Sequence, residues 1–209
     1  FDITPFIAGT TQQLTVKVWD PSNEGTQPRG KQVKNPEGIW YTPVTGIWQT
    51  VWIEPVNKKN ITTIKTTPNI DQNVISMKTE VSGASYGDVI EVTVYDDSKT
   101  IATGKASVGE NLEIVLNNPK LWSPESPFLY KTNVKLISNG KVVDQVKSYF
   151  AMRKIGSKRD ENGVLRMQLN NKDYFQFGPL DQGWWPDGLY TAPTDEALKF
   201  DIIKTKELG

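Results

Sequence analysis

The residues best suited to chemistry lie in one loop near the C-terminal end of the chain. The segment from Gly178 to Tyr190 carries carboxylates, an amide and large aromatic rings within a few positions. Aromatic rings pack against the C–H faces of sugars, and carboxylates and amides hydrogen-bond to sugar hydroxyl groups. The loop is therefore predicted to contact a carbohydrate. The candidate substrate-binding residues are Asp181, Gln182, Trp184, Trp185 and Asp187.

The same residue types also have a structural interpretation, in which Trp184 and Trp185 fill a junction between domains. A second aromatic motif carries the same ambiguity, since Trp48 and Trp52 could form a platform for a sugar. With Thr50, however, these two rings would share one face of a strand. That arrangement favours rings that close the core of a β-sandwich.

The composition excludes several classes of catalytic site. The 209 residues include no Cys and no His, so the chain can contain no disulfide, thiol nucleophile, Cys/His zinc site or Ser-His-Asp triad. A metal ion would need oxygen ligands alone. Neither a metal site nor a cofactor is predicted.

The charge pattern argues against two classes of partner. Lys and Arg together number 24, and Asp and Glu number 24, so the formal net charge is zero. Nucleic-acid binding and attraction to a membrane surface usually require a basic excess, which is missing here. No apolar run approaches the roughly 20 residues of a membrane span. We therefore expect neither nucleic acid nor a membrane as a partner.

The central part of the chain has the pattern of a β-sandwich. Apolar and polar residues alternate in short segments separated by turn signals, and Asn139-Gly140 is typical of a type I′ hairpin turn. About seven strands in roughly 95 residues fit an immunoglobulin-like sandwich. The predicted strands are 61–66, 73–81, 88–96, 100–107, 111–116, 128–137 and 142–150, and two further strands are predicted at 14–19 and 48–56.

The last 55 or so residues change character. Strands are predicted at 164–169 and 174–177, and the loop 178–193 follows. Thr194 is a suitable N-cap for a final helix, whose apolar stripe would include Leu198, Ile202 and Leu208. If 174–177 is the first strand of a (β/α)₈ barrel, the aromatic loop lies at the C-terminal face, where such barrels place their active sites.

These motifs, in this order, resemble those of glycoside hydrolase family 2, the β-galactosidase-like enzymes. Residues 46–54 resemble the end of the family's sugar-binding domain, and residues 121–130 resemble the hallmark of its immunoglobulin-like domain. Residues 149–155 resemble the exit of that domain, although Ala151 stands where the family usually has Gly. The stretch from Leu169 through Asp181-Gln182-Gly183 to Gly209 resembles the entry to the catalytic barrel.

The resemblance implies a mainly β chain with three parts. These are the C-terminal part of a jelly-roll sugar-binding domain (1–56), an immunoglobulin-like β-sandwich (57–155) and the first βα unit of a (β/α)₈ barrel (156–209). It also implies that both catalytic Glu residues lie further along the barrel. On this interpretation the chain is a non-catalytic segment of a longer enzyme, and it contains no catalytic residue.

The implied activity is hydrolysis of O-glycosidic bonds by a retaining mechanism with two carboxylates. The implied partner is a carbohydrate, a β-galactoside or a related glycan. A non-catalytic carbohydrate-binding β-sandwich module is the alternative. Exposed apolar surface and strand edges would favour self-association or a homo-oligomer. A secreted or periplasmic parent protein is compatible with polysaccharide degradation, but the residues do not determine the compartment.

Overall fold

A computed structural model describes all residues from Phe1 to Gly209. The chain divides into two compact units. The first, here called the aromatic unit, combines Phe1–Ile53 with Gly178–Gly209, and the second, the sandwich unit, is Glu54–Phe177. No helix of the chain is long and apolar enough to cross a membrane.

The sandwich unit contains every β-strand of the chain. The first seven strands form two antiparallel sheets, with strand orders β1-β2-β5 and β4-β3-β6-β7. The predicted mainly β sandwich is thereby confirmed, and the predicted strands agree with the observed ones to within three residues at each end. The strands are β1 (Asn60–Asn69), β2 (Val74–Ser82), β3 (Val89–Asp96), β4 (Lys99–Ser107), β5 (Asn111–Val115), β6 (Tyr130–Ser138) and β7 (Lys141–Phe150).

The core lies between the two sheets because alternate residues of each strand point inwards. Along β3, Ile90, Val92 and Val94 are almost fully buried, whereas the residues between them are half-buried. Burial of each such side chain contributes about 1.5–3 kcal/mol. The other buried apolar residues are Ile75, Met77, Leu112, Ile114, Leu116, Tyr130, Val134, Leu136, Phe150 and Met152.

The tight turns follow from residue types that accept a positive φ angle. At the β6–β7 hairpin, Asn139 has φ 50° and Gly140 has φ 74°. Both angles match the predicted type I′ turn, whose twist suits antiparallel strands. This turn sets the register between Ser138 and Lys141.

A buried ion pair connects strands at one end of the sandwich. Lys59 Nζ donates to Asp88 Oδ2 at 2.8 Å and to Ser138 Oγ at 2.9 Å. The backbone N–H of Ser85 donates to the same carboxylate at 2.8 Å. Asp88 is 3% exposed. These donors stabilise the charged carboxylate, with Lys59 as the largest contributor, and lower the pKa of Asp88 to about 2.

A short sheet follows the sandwich. Strands β8 (Ile155–Arg159), β9 (Leu165–Leu169) and β10 (Lys172–Asp173) form an antiparallel sheet in the order β10-β9-β8. The strand β9 was predicted, whereas β8 was not. Residues 174–177 were predicted to be a strand and are not one, because the pairing with β9 ends at Asp173.

Hydrogen bonds fasten this sheet to the corner of the sandwich. Asn170 Nδ2 donates to the backbone oxygen of Trp122 at 2.9 Å, and Asn170 Oδ1 accepts from the backbone N–H of Lys154 at 3.0 Å. The guanidinium of Arg153 lies 4.8 Å from the Trp122 ring. Lys154 Nζ also donates to Asp71 Oδ2 at 2.5 Å. Trp122 thus has a structural role at this corner, where the short sheet meets the sandwich.

The aromatic unit has little regular secondary structure. It contains a 3-10 turn, Thr4–Phe6, and the helix α1, Asp195–Glu207. Thr194 Oγ1 accepts from the Ala197 N–H at 3.1 Å, so the predicted N-cap is confirmed. The apolar stripe of α1 is not buried, since Leu198 and Ile202 are 49% and 71% exposed.

The strands predicted at 14–19 and 48–56 are not present in the structure. Both segments have the alternation of strands, but neither pairs with another backbone segment. A strand is stable only when its N–H and C=O groups find such a partner. Trp48 and Trp52 consequently close no sandwich core, since 57% and 71% of their surfaces are exposed.

Candidate carbohydrate-binding site

The loop that carries the predicted site residues has a defined local fold. Trp185 and Leu189 exchange two backbone hydrogen bonds of 2.8 and 3.1 Å, which close a tight turn. Within this turn Gly188 lies so close to the chain that a Cβ would be 2.0 Å from the backbone oxygen of Thr191. Only glycine fits at this position, and the turn fixes the direction of the backbone between Trp185 and Tyr190.

Four aromatic rings form a cluster in the aromatic unit. Trp184 stacks on Tyr41, with ring centroids 5.0 Å apart and an interplanar angle of 26°. Tyr190 packs against Trp184 in a T-shaped contact at 5.1 Å, and its ring centroid lies 6.2 Å from that of Trp48. Both distances are within the range at which aromatic pairs attract one another. The cluster therefore joins the loop to residues more than 130 positions earlier in the chain.

Gln32 provides a polar contact beside the cluster. Its Nε2 donates to the Tyr190 hydroxyl at 3.4 Å, and its Oε1 accepts from the Val44 N–H at 2.7 Å. Gln32 also forms a β-bridge with Tyr41, the stacking partner of Trp184. The segment around Gln32 thus positions both Tyr41 and the hydroxyl of Tyr190.

A cleft adjoins the cluster on the side of Gln32. Its volume is about 330 Å³, and Trp19, Asp20, Arg29 and Gln32 are among its lining residues. Asp20 is held by the N–H of Ser22 at 2.8 Å and by the hydroxyl of Thr45 at 3.3 Å. Arg29 donates to the backbone oxygen of Asn23 at 2.9 Å. The cleft offers an aromatic ring together with charged and amide groups.

The structure places the five predicted residues in different environments. Trp184 is half-buried at the centre of the cluster, and Trp185, also half-buried, takes part through its backbone rather than through a ring contact. Asp181 Oδ1 accepts from the Gly183 N–H at 2.8 Å, which caps a turn. Asp181, Gln182 and Asp187 are exposed. Their assignment to a substrate stays a prediction.

Two residues of the site were not identified from the sequence. Tyr41 and Gln32 lie in a loop rich in Pro, Gly and Asn, where no periodic pattern singles out individual side chains. Trp48 was noticed, but its ring was predicted to be in a core. These side chains contact Trp184 and Tyr190 only because the segment from residue 178 onwards folds back onto this part of the chain. Nothing in the local sequence around Gln32 or Tyr41 indicates such a long-range contact.

The arrangement is suited to binding rather than to acid–base or metal chemistry. Half-exposed rings next to amide, hydroxyl and carboxylate groups match the two kinds of surface on a sugar. No group of three or more His, Cys, Asp and Glu side chains in the chain is placed to hold a metal ion.

The sequence of the chain is similar to those of known glycosidases. The family model described as "Glycosyl hydrolases family 2" matches residues 48–153. A putative β-glucuronidase of Formosa agariphila is 28% identical over the whole chain, which corresponds to 19% of that relative. A β-galactosidase of Lactococcus lactis is 30% identical over 78% of the chain, or 16% of its own length. The chain thus spans less than a third of the curated relatives that it matches.

Solved structures share the fold. A putative β-galactosidase from Bacteroides fragilis superposes with a TM-score of 0.57 over 74% of this chain and 26% of that one, at 24% identity. A β-glucuronidase of Lactobacillus rhamnosus gives a TM-score of 0.59 over 73% of this chain and 24% of that one, at 18% identity. With the family match, which includes most of the sandwich and the Trp48 motif, the chain belongs to family 2 of the glycosyl hydrolases.

Proposed function

We propose that the protein containing this chain is a β-galactosidase-like glycosidase that cleaves O-glycosidic bonds with retention of configuration. The chain contributes a scaffold and part of the substrate pocket, and it contributes no catalytic carboxylate. The proposed parts are the end of a sugar-binding jelly-roll (1–56), an immunoglobulin-like domain (57–155) and the start of a (β/α)₈ barrel (156–209). The family membership of the chain supports this assignment.

The aromatic cluster is the observation that supports a role in substrate binding. Trp184 stacks on Tyr41 and makes a T-shaped contact with Tyr190, so its ring is oriented before any ligand arrives. A preoriented ring loses little conformational entropy when a sugar stacks on it. The exposed side chains of Asp181, Gln182 and Asp187 are available for hydrogen bonds to hydroxyl groups of the same sugar.

A retaining mechanism needs two carboxyl groups about 5–5.5 Å apart, one acting as nucleophile and one as acid and base. The general acid of such a pair has a raised pKa. Three carboxylates of the chain show the opposite, a lowered pKa. The main cause is a hydrogen bond from Lys154 for Asp71 and from Lys59 for Asp88. For Asp160 it is a hydrogen bond from the backbone N–H of Val164. These three carboxylates stabilise the sandwich unit and are unsuited to protonating a leaving group.

A substitution at the loop tests the proposed pocket. In the full-length protein, Asp181→Ala is expected to lower kcat/KM for its best glycoside about tenfold or more, because a hydrogen bond to a charged group is worth about 1.5–3 kcal/mol. Glu110→Ala, at an exposed turn of the sandwich, is the control and should leave kcat/KM unchanged. An Asp181→Ala enzyme with the parent kcat/KM would contradict the assignment.

Trp184 offers a second test, which separates stacking from folding. Trp184→Phe keeps an aromatic face, whereas Trp184→Ala removes it. If the ring binds sugar, KM rises strongly for Trp184→Ala and only slightly for Trp184→Phe, while the far-ultraviolet circular dichroism spectrum stays the same. Equal kinetics for the two variants would show that the ring has only a structural role.

The second candidate is a carbohydrate-binding module that works without a catalytic partner. The ring cluster favours it, since stacking alone can hold a glycan. Isothermal titration of the 209-residue chain with galactosides and β-glycans distinguishes the two functions. A binding module binds these ligands unaided, whereas a segment of a pocket binds them only as part of the longer protein.

The chain is also expected to self-associate in solution. Large apolar side chains are exposed in both units, and Trp52, Phe175, Phe177 and Leu208 each have more than two thirds of their surface in solvent. Exposed apolar area of this kind drives association or a larger assembly. Light scattering over a range of concentrations measures it, and a monomer at every concentration would contradict this expectation.

A further inference from the structure

The two sheets of the sandwich present outward faces of different charge. On the three-stranded sheet, the outward charged residues are Lys65, Lys78, Glu80 and Glu113, which balance one another. The outward face of the four-stranded sheet is here called the basic face. Its charged residues in the paired rows of the sheet are Glu91, Lys105, Lys131, Lys135 and Lys147, which leave an excess of three positive charges. Since the chain as a whole is neutral, this charge is a local feature of one surface.

Only one part of the basic face is neutralised internally. Glu91 lies between Lys105 and Lys135 in a cross-strand row, with oxygen–nitrogen distances of 2.7 Å and 3.6 Å. Lys131 and Lys147 are exposed and take part in no ion pair of the chain. The unpaired charge therefore concentrates on the side of the face formed by β6 and β7.

An aromatic pair flanks the unpaired charge. Lys131 lies directly opposite Tyr95 on β3 and opposite Tyr149 on β7. Directly opposed residues have Cβ atoms about 4.5–5.5 Å apart. Lys147 is two residues from Tyr149 on the same strand and so points to the same face. The ring of Tyr149 is 66% exposed, which leaves one of its faces open for stacking.

We propose that the basic face binds an acidic polysaccharide. Carboxylate or sulfate groups of the polymer pair with Lys131 and Lys147, and a sugar ring packs against Tyr149. The residues of the face belong to the sandwich unit and those of the cluster to the aromatic unit, and the proposal depends on no catalytic step. A polysaccharide is favoured over nucleic acid because the chain belongs to a glycosidase family and because the face carries no arginine for bidentate contacts to phosphate.

Binding to soluble polymers tests the proposal. We expect the 209-residue chain to bind polygalacturonate, as a carboxylated probe, and dextran sulfate, as a sulfated probe, in affinity electrophoresis or isothermal titration. Fully methyl-esterified polygalacturonate and neutral dextran are the matched uncharged polymers and should not bind. Raising the NaCl concentration from about 50 mM to about 300 mM should weaken binding, since the contacts are exposed. Binding of only one of the two acidic polymers identifies the acidic group that the face recognises.

Two double variants with the same change of charge locate the surface. Lys131→Gln with Lys147→Gln should weaken binding about tenfold or more, whereas Lys65→Gln with Lys78→Gln on the other sheet should alter it less than twofold. Circular dichroism and the unfolding midpoint show that both variants fold. Three results overturn the proposal: equal weakening by the two variants, equal binding of the neutral polymers, or single-stranded DNA binding as tightly as the acidic polysaccharides.

Discussion

The sandwich unit and the aromatic unit are held together in different ways. The sandwich unit has two paired sheets with a continuous core of aliphatic side chains, and its polar groups include a buried ion pair. The aromatic unit has one helix, no strand, and a cluster of stacked rings that connects distant parts of the chain. One unit is thus stabilised by repetitive backbone pairing and the other by a few specific side-chain contacts.

The two units therefore expose their large side chains differently. In the sandwich unit, polar–apolar alternation turns the aliphatic side chains of the two larger sheets into the core, where they serve packing. In the aromatic unit, large rings remain half-exposed beside amides and carboxylates, which is the condition for contact with a ligand.

A cavity in the sandwich core should have the largest effect on stability. Leu136 is fully buried, and Leu136→Ala is expected to lower the free energy of unfolding by about 2–5 kcal/mol. Leu180→Ala, at an exposed position of the aromatic unit, is the matched control and should change it by less than about 0.5 kcal/mol. Urea unfolding measures both, and similar losses for the two variants would remove the contrast between the units.

The buried ion pair should make the sandwich sensitive to acid. Because the folded pKa of Asp88 is lowered to about 2, its contribution is fully present above the unfolded value of 3.8 and is lost as the pH falls through the folded value. Asp88→Asn should lower the Tm at neutral pH, because it removes the charge that pairs with Lys59. Between about pH 4 and pH 2 its Tm should fall less steeply than that of the parent chain.

A thermal melt at several pH values tests this expectation, with Asp97→Asn at an exposed turn as control. Identical slopes of Tm against pH for the parent chain and Asp88→Asn would show that the carboxylate does not supply acid-sensitive stability.

A substitution at Gly104, where the two sheets approach closely, should have the next largest effect on stability. A Cβ at Gly104 of β4 would lie 2.9 Å from Ile114 Cγ1 and 3.0 Å from Leu112 Cδ1, both on β5 of the opposite sheet. Gly104→Ala is therefore expected to lower the free energy of unfolding by about 1–3 kcal/mol through overpacking. Gly156→Ala, where a Cβ has open space, is the control. A stability of Gly104→Ala equal to that of the parent would mean that the sheets separate without strain.

The smallest effect on global stability should come from the ring cluster. Trp184→Ala removes ring contacts to Tyr41 and Tyr190, which are residues of the aromatic unit. We expect the urea midpoint of the sandwich to change by less than the equivalent of about 0.5 kcal/mol, whereas the near-ultraviolet circular dichroism signal of the aromatic rings should fall clearly. A midpoint shift as large as that of Leu136→Ala would show that the cluster is needed for the sandwich.

The sandwich was predictable from the sequence because each of its strands and turns is indicated by neighbouring residues. Alternation along β3 and β6, and Asn139-Gly140 at the hairpin, each specify a strand or a turn within a few residues. The strand β8 was missed because Ile155–Arg159 has little alternation and is paired by β9 alone. The predictions for segments 14–19 and 48–56 were wrong for the converse reason. Their sequence pattern is that of a strand, but no other backbone segment pairs with them.

The candidate site was predictable only in part. The residue types of the loop pointed to Trp184, which the structure places half-buried in the ring cluster, and its role in substrate binding stays a prediction. Tyr41 and Gln32 could not be found, because their contacts to Trp184 and Tyr190 join positions about 140 to 160 residues apart. The basic face was also hidden, since it depends on which strands pair and in what register.

We propose that this chain binds and positions a substrate but does no chemistry itself. Hydrolysis of a panel of nitrophenyl glycosides, with galactosides and glucuronides included, tests it most directly when the full-length protein and the 209-residue chain are assayed side by side. We expect turnover by the full-length protein and none by the chain. Turnover by the chain that persists through repurification would contradict it and would place a catalytic carboxylate pair within these residues.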